Sequence, residues 1–281
     1  MFFVDKDNNL IINSNYSNKL NEQIKKTMDK YDTIIFGQEF NEKISWIPDT
    51  VKQLSFENDY EFPLDNLPLE LEKLIFFFNC DQSVNNLPPK LKTLYLGQNF
   101  SHSIDNLPLG LKTLYLGQTF NKPVDFLPES IESITFSNVF SQPIENLPNG
   151  IKYIFLGNNF SHSINCLPNK LEVLRIGYKY SGTINNLPET IKELYLIKNF
   201  NEYINILPKN IELVELPSDY KYIDEFKNKY SNILEISEAQ LGMVTFTKKK
   251  YFLTNIFNIA MENFYNFVGY LEFDLYDENF D

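Results

Sequence analysis

Histidine and cysteine, the side chains that most often carry metal and nucleophilic chemistry, are almost missing: two of each occur in 281 residues. Cys80 and Cys166 cannot build a disulfide framework or a cysteine-based zinc site. Arginine is scarcer still. Arg175 is the only one, so an arginine cluster for phosphorylated motifs is excluded. Lysine does not make up the deficit, with 25 basic residues against 37 acidic and a formal charge of −12. That balance repels a phosphate backbone, and nucleic acid is not an expected partner. No uncharged run reaches the length of a bilayer span, and "MFFVDKDNNL" places acidic residues where a signal peptide needs an apolar run. A cytoplasmic location without a membrane partner is therefore expected. No glycine-rich phosphate loop, nucleophile elbow or metal-ligand spacing occurs. The expectation is a protein without enzymatic activity, cofactor, catalytic residue or metal site.

What the chain has in abundance is repetition. Proline recurs every twenty residues at Pro48, Pro68, Pro88, Pro108, Pro128, Pro148, Pro168, Pro188 and Pro208, each preceded by Leu or, at Ile47, isoleucine. Three residues after each proline comes an aliphatic, from Val51 to Ile211, and further apolar columns run from Leu54 to Val214 and from Phe56 to Leu216. An aromatic closes the unit at Tyr60, Phe100, Phe120, Phe140, Phe160, Tyr180, Phe200 and Tyr220, with Cys80 the exception. A short fixed period of this kind marks a solenoid, whose units bury their apolar faces against one another.

Within a unit, "LKTLYLGQNF" (91–100) fits the phrase L-x-x-L-x-L-x-x-N, whose L-x-L is a short strand. Stacked units then form one parallel sheet on the concave face. About ten residues remain to return on the convex face, too few for a crossover helix and carrying a proline, so extended or polyproline-like returns are expected. The unit-closing rings are expected to form a continuous buried stack.

"FNKPV" (120–124), "FSQPI" (140–144) and "YEFPL" (60–64), with "LPxxLKxLxLG", resemble the FNIP repeat of proteins from social amoebae and giant amoeba viruses, a branch of the leucine-rich repeats. The resemblance covers about 41–220 and implies a leucine-rich-repeat-like solenoid in the cytoplasm, that of the host if the source is viral. Relatives of the viral kind often carry an N-terminal F-box that recruits a ubiquitin ligase. Here "FFVDKDNNLII" suggests a hairpin around Asp7, Asn8 and Asn9 instead. "LPxxL" at this period also resembles bacterial leucine-rich-repeat effectors, some with a catalytic cysteine domain after the repeats; no cysteine follows Cys166.

Three segments are expected: 1–40 as an N-terminal hairpin and helix cap, 41–220 as nine repeats, and 221–281 as a C-terminal α/β cap. A stacked sheet exposes an apolar layer at each end, and the flanks must cover it. Residues 16–30 read as a helix with Leu20, Ile24 and Met28 on one face. After the repeats, 221–232 read as a helix, 233–236 as a strand, and 250–268 as an amphipathic helix with Phe252, Ile256, Ile259, Phe264 and Phe267 near one face. The alternative for 221–281 is a recognition module ending in "LEFDLYDENFD".

His102 and His162 each stand second in their unit, in "SHSI", three units apart, roughly 15 Å by strand spacing, and cannot share a metal ion. Asn and Asp before "LP" suit turns better than a calcium ladder. Side chains alternate across a strand, so the residues between the strand aliphatics face the concave side. The candidate partner-binding residues there are Ile75, Phe77, Phe78, Tyr95, Tyr115, Tyr153, Phe155, Arg175, Tyr178 and Tyr195. Exposed tyrosine and arginine are what protein interfaces enrich. The small polar unit 121–140 is expected to part them into two patches. The leading reading is a protein-interaction scaffold whose partner the sequence does not name; the alternative is a ubiquitin-ligase substrate receptor with a degenerate adaptor-binding N-terminus.

Overall fold

In the computed structural model, residues 2–13, 26–44, 46–197, 199–240 and 243–248 are described. Each repeat contributes one short strand. After the N-terminal strands β1 (Phe2–Val4), β2 (Leu10–Ile12) and β3 (Thr33–Phe36) come β4 (Gln53–Phe56), β5 (Lys73–Phe76), β6 (Thr93–Tyr95), β7 (Thr113–Tyr115) and β8 (Ser133–Thr135). The series continues with β9 (Tyr153–Phe155), β10 (Val173–Ile176), β11 (Glu193–Leu196) and β12 (Leu213–Pro217). From β2 to β12 every pairing is parallel, and from β3 onward the register advances by one repeat per strand, as in Leu94↔Leu114 and Ile134↔Ile154. The result is a leucine-rich-repeat-like parallel β-solenoid.

The leucine columns explain why it forms. Leu74, Leu94, Leu114, Ile134, Ile154 and Leu174 are fully removed from solvent, as are Leu71, Leu91 and Leu111. After each proline the chain turns tightly: the Leu71 amide donates to the Pro68 carbonyl at 3.1 Å, and the Leu91 and Leu111 amides repeat the bond to Pro88 and Pro108. Proline fits because its fixed φ favours the turn and its missing N–H is not needed there. The return is thus an extended path broken by tight turns. Gly117 and Gly157 mark where neighbouring units approach most closely. A Cβ at Gly117 would lie 1.8 Å from the Gly97 carbonyl oxygen, and one at Gly157 1.7 Å from that of Ser137.

The unit-closing rings form the expected buried stack. Phe120 and Phe140 lie 6.4 Å apart and 6° from parallel, Phe140 and Phe160 6.4 Å and 2°. At Cys80, where the column loses its ring, Phe76 packs 6.2 Å from Tyr60 and continues a second stack with Phe56 at 4.9 Å. On the opposite face, Tyr95 and Tyr115 stack at 3.8 Å. The interval from unit to unit therefore shrinks from 6.4 Å in the core to 3.8 Å on the tyrosine side. That gradient is what a sheet curving around the tyrosine side produces, and it makes that face the concave one.

Both ends of the sheet are finished by antiparallel pairing. β1 and β2 form a hairpin, with Asn8 at φ 64° in its turn and the Asp5 carboxylate accepting the Asn9 amide at 2.8 Å. Residues 26–28 are helical and Met28 is fully buried; Leu20 and Ile24, expected beside it, lie outside the described residues. At the other end, helix α1 (Ile223–Tyr230) buries Phe226 and Tyr230. Strand β13 (Leu234–Gln240) pairs with β14 (Met243–Lys248), which pairs with β12. Phe226 meets Phe246 edge-on at 4.9 Å and closes the core. The segment 250–268 expected to be helical falls outside the described residues.

Candidate protein-binding face

The concave face carries two columns of side chains. One runs Lys73, Thr93, Thr113, Ser133, Tyr153, Val173, Glu193 and Leu213, the other Ile75, Tyr95, Tyr115, Thr135, Phe155, Arg175, Tyr195 and Glu215. Strand register puts each beside its counterpart one repeat away.

Ile75, Tyr95 and Tyr115 form a cluster of their own, separate from the main core, with Phe77 against it. The Tyr95 and Tyr115 hydroxyls are hydrogen-bond partners. Burial pushes both phenol pKa values upward. A second cluster joins Val173, Tyr195 and Leu213, with Tyr153 packed on it. There the Tyr195 hydroxyl donates to the Glu193 carboxylate at 2.8 Å, and Glu193 is only 3% exposed. Ser133 and Thr135 of β8 lie between the clusters. Phe155 and Arg175 are direct register partners, both half-buried, and on its other side Phe155 pairs with the small Thr135 of β8.

The expectation that all ten candidate residues are open to solvent needs correction. Tyr95 is 3% exposed, Tyr195 4%, Tyr115 6% and Ile75 8%; these four are buried. Inward curvature and ring stacking shield their flanks. Phe77, Phe78, Tyr153, Phe155 and Arg175 are half-buried, and Tyr178 is exposed. Phe78 and Tyr178 follow the ends of β5 and β10 and enter neither cluster. Two residues of this face escaped the sequence reading. Glu193 precedes Tyr195 by two, the same-face interval of a strand, and that interval was the available signal. Lys73 stands likewise two before Ile75; burial depresses its pKa.

The polar side chains of the repeat serve neighbouring units. His102 and His162 each place Nε2 3.0 Å from a carbonyl oxygen one unit earlier, that of Asp81 and of Ser141. The Asp81 and Asn121 side chains accept the Ser101 and Ser141 amides at 2.8 and 2.9 Å. Asn146 donates to Asp125 at 3.0 Å within the column before "LP". Among the described residues no group of three or more His, Cys, Asp or Glu comes together as metal ligands. Nor is any helix among them long and apolar enough to cross a membrane. Cys80 is buried, its thiol pushed up to about 12 by burial, while Cys166 is exposed.

The profile of the FNIP Repeat family matches residues 100–139 and 140–179. Nothing among curated proteins matches the chain. Among solved structures it is similar to CroV588, described as a novel circular LRR protein, with 26% identity and a TM-score of 0.51. That likeness covers 76% of this chain and 40% of CroV588, so the chain spans less than half of that protein's length. YopM from Yersinia enterocolitica WA-314 matches at 16% identity and a TM-score of 0.36, over 65% of this chain and 55% of YopM. Residues 100–179 thus match FNIP repeats, set within a leucine-rich-repeat-like stack of parallel strands.

Proposed function

We propose that this protein is a non-enzymatic scaffold that binds another protein on the concave face, with the opening over β8 to β10 as the contact point. The flanking segments 1–40 and 221–281 serve in this reading as caps. One observation carries the proposal: Phe155 and Arg175, the sole arginine, lie side by side at a place where the neighbouring strand offers only Ser133 and Thr135. A half-open aromatic beside a guanidinium, next to a strand of small side chains, matches the composition of interface hot spots. The partner surface that fits is an apolar or aromatic side chain flanked by a carboxylate. Tyr153 on the same strand widens the contact.

The ubiquitin-ligase reading draws no support from the N-terminus, since β1 and β2 extend the sheet as a hairpin. The test is capture with the immobilised full chain, followed by calorimetric titration of each recovered protein. Phe155→Ala with Arg175→Ala is expected to weaken binding at least tenfold. Normal binding by that variant would move recognition off this face.

A further inference from the structure

The charges of the concave face are sorted by sign along the solenoid. From β4 to β10 its two columns hold only Lys73 on β5 and Arg175 on β10 as charged residues, and both are cations. The carboxylates of those columns, Glu193 and Glu215, come at β11 and β12. A wholly cationic stretch is the reverse of the chain's formal charge of −12. On the rim, lysines are neutralised within the molecule: Lys92 meets Glu72 at 2.6 Å, Lys112 and Lys152 share Glu132 at 2.8 and 2.9 Å, and Lys192 meets Glu172 at 2.7 Å. Lys73 has no such partner among the described residues, and burial alone depresses its pKa. Arg175 is likewise without an ion pair among them, and the neighbouring Glu193 is engaged by the Tyr195 hydroxyl at 2.8 Å. A half-buried cation has already given up part of its hydration, so an arriving anion meets it at a lower desolvation cost and in a lower dielectric.

We propose that this stretch seats an extended acidic segment of a partner protein, with one carboxylate on Lys73, a second on Arg175, and the chain between them crossing β6 to β9. The inference rests on the concave-face reading above and adds to it a second anchor and a spacing. From β5 to β10 is five strand spacings, about 24 Å at roughly 4.8 Å each. An extended chain advances about 3.4 Å per residue, which puts the two carboxylates about seven residues apart. An apolar side chain next to the second carboxylate falls on Phe155, the register neighbour of Arg175. Between the cations the half-buried hydroxyls of Thr93, Thr113 and Ser133 offer donors and acceptors to the backbone of the segment. One cation at each end suits carboxylates, whereas a phosphoryl group is best held by bidentate arginine. Past Arg175, Glu193 and Glu215 oppose any further acid, which fixes where the acidic pattern stops.

Phage display of random peptides about twelve residues long against the immobilised full chain supplies the probe. The recovered sequences should share two acidic positions about seven residues apart, with an apolar residue beside one of them. With the consensus peptide synthesised and its binding read by fluorescence anisotropy, Lys73→Gln and Arg175→Gln should each weaken it at least fivefold, and glutamine in place of either acid should do the same. The two losses should not add when the changed cation and the changed acid belong to the same end. Recovery of no peptide, or of a consensus without the acidic pair, overturns the inference, and so does dependence on only one of the two cations. Dependence on Phe155 and Arg175 without Lys73 overturns it while leaving the contact at β9 and β10 in place; binding indifferent to all three residues overturns both readings. If Lys73→Gln loses its cooperative melt, Thr93→Glu on the neighbouring strand takes its place: a loss of at least fivefold supports the inference, and unchanged binding overturns it.

Discussion

Tyr115 and Phe155 occupy the same position of two repeats, on strands with only β8 between them, and both point to the concave side. One is buried and its ring is stacked on Tyr95 at 3.8 Å; the other is half-open beside Arg175. Repeat position fixes which face a side chain takes, and it leaves open what lies over that face. On the core side the same two units are indistinguishable: Phe120 and Phe160 are both fully buried in one parallel stack.

The largest effects should come from the core, where the comparison is predicted to vanish. Phe120→Ala and Phe160→Ala should each lower unfolding free energy by about 3–5 kcal/mol, the range for a buried ring removed from a packed core. Denaturant melts of the two variants should agree within about 1 kcal/mol; a larger gap would mean the stack is not uniform. Gly157→Ala comes next, because the added methyl has to displace the Ser137 carbonyl, and overpacking of this kind costs about 1–3 kcal/mol.

The concave face should then separate the two units. Tyr115→Ala should cost about 2–3 kcal/mol from lost burial, with loss of the Tyr95 stack adding about 0.5–1.5 kcal/mol. Phe155→Ala should cost about 1 kcal/mol, in line with its partial burial. Equal losses in thermal or denaturant melts would erase the distinction drawn here.

The smallest effect belongs to the rim. Glu132 accepts from Lys112 at 2.8 Å and from Lys152 at 2.9 Å, and these bonds hold its carboxyl below the usual 4.5. A depressed carboxylate adds stability that is complete above its unfolded value and lost as pH falls through the folded one. Below about pH 4.5 the wild type should lose this increment and Glu132→Gln should not, a difference of no more than about 1 kcal/mol for an exposed pair. Chemical melts at pH 7 and pH 3.5 on both proteins would show it, and added salt should shrink it.

Much of the solenoid was legible because burial against identical neighbours repeats with the chain. The proline column, the leucine columns and the ring column each report one invariant contact, and the strands fall where L-x-L stands. The hairpin around Asn8 was legible from turn chemistry, and α1 falls within the stretch 221–232 that read as a helix. Strand β14 was not anticipated, although "MVTFTK" alternates: Phe246 turns to the core, and Thr245 and Thr247 pair with Glu215 and Leu213 of the concave columns. The closure of Tyr95, Tyr115 and Tyr195 was illegible for a different reason. Alternation along a strand specifies a face, and how far that face closes depends on packing such as the Tyr95–Tyr115 stack and the Tyr195–Glu193 hydrogen bond.

The central claim is that one repeat column holds two environments, closed at β6 and β7 and open at β9 and β10. Hydroxyl-radical footprinting of the unmodified full chain, read residue by residue, tests it directly. Tyr95, Tyr115 and Tyr195 should be modified at least tenfold more slowly than Tyr153, Phe155 and Tyr178 after correction for intrinsic reactivity. Comparable rates along the column would contradict the account, because the concave face would then be evenly open.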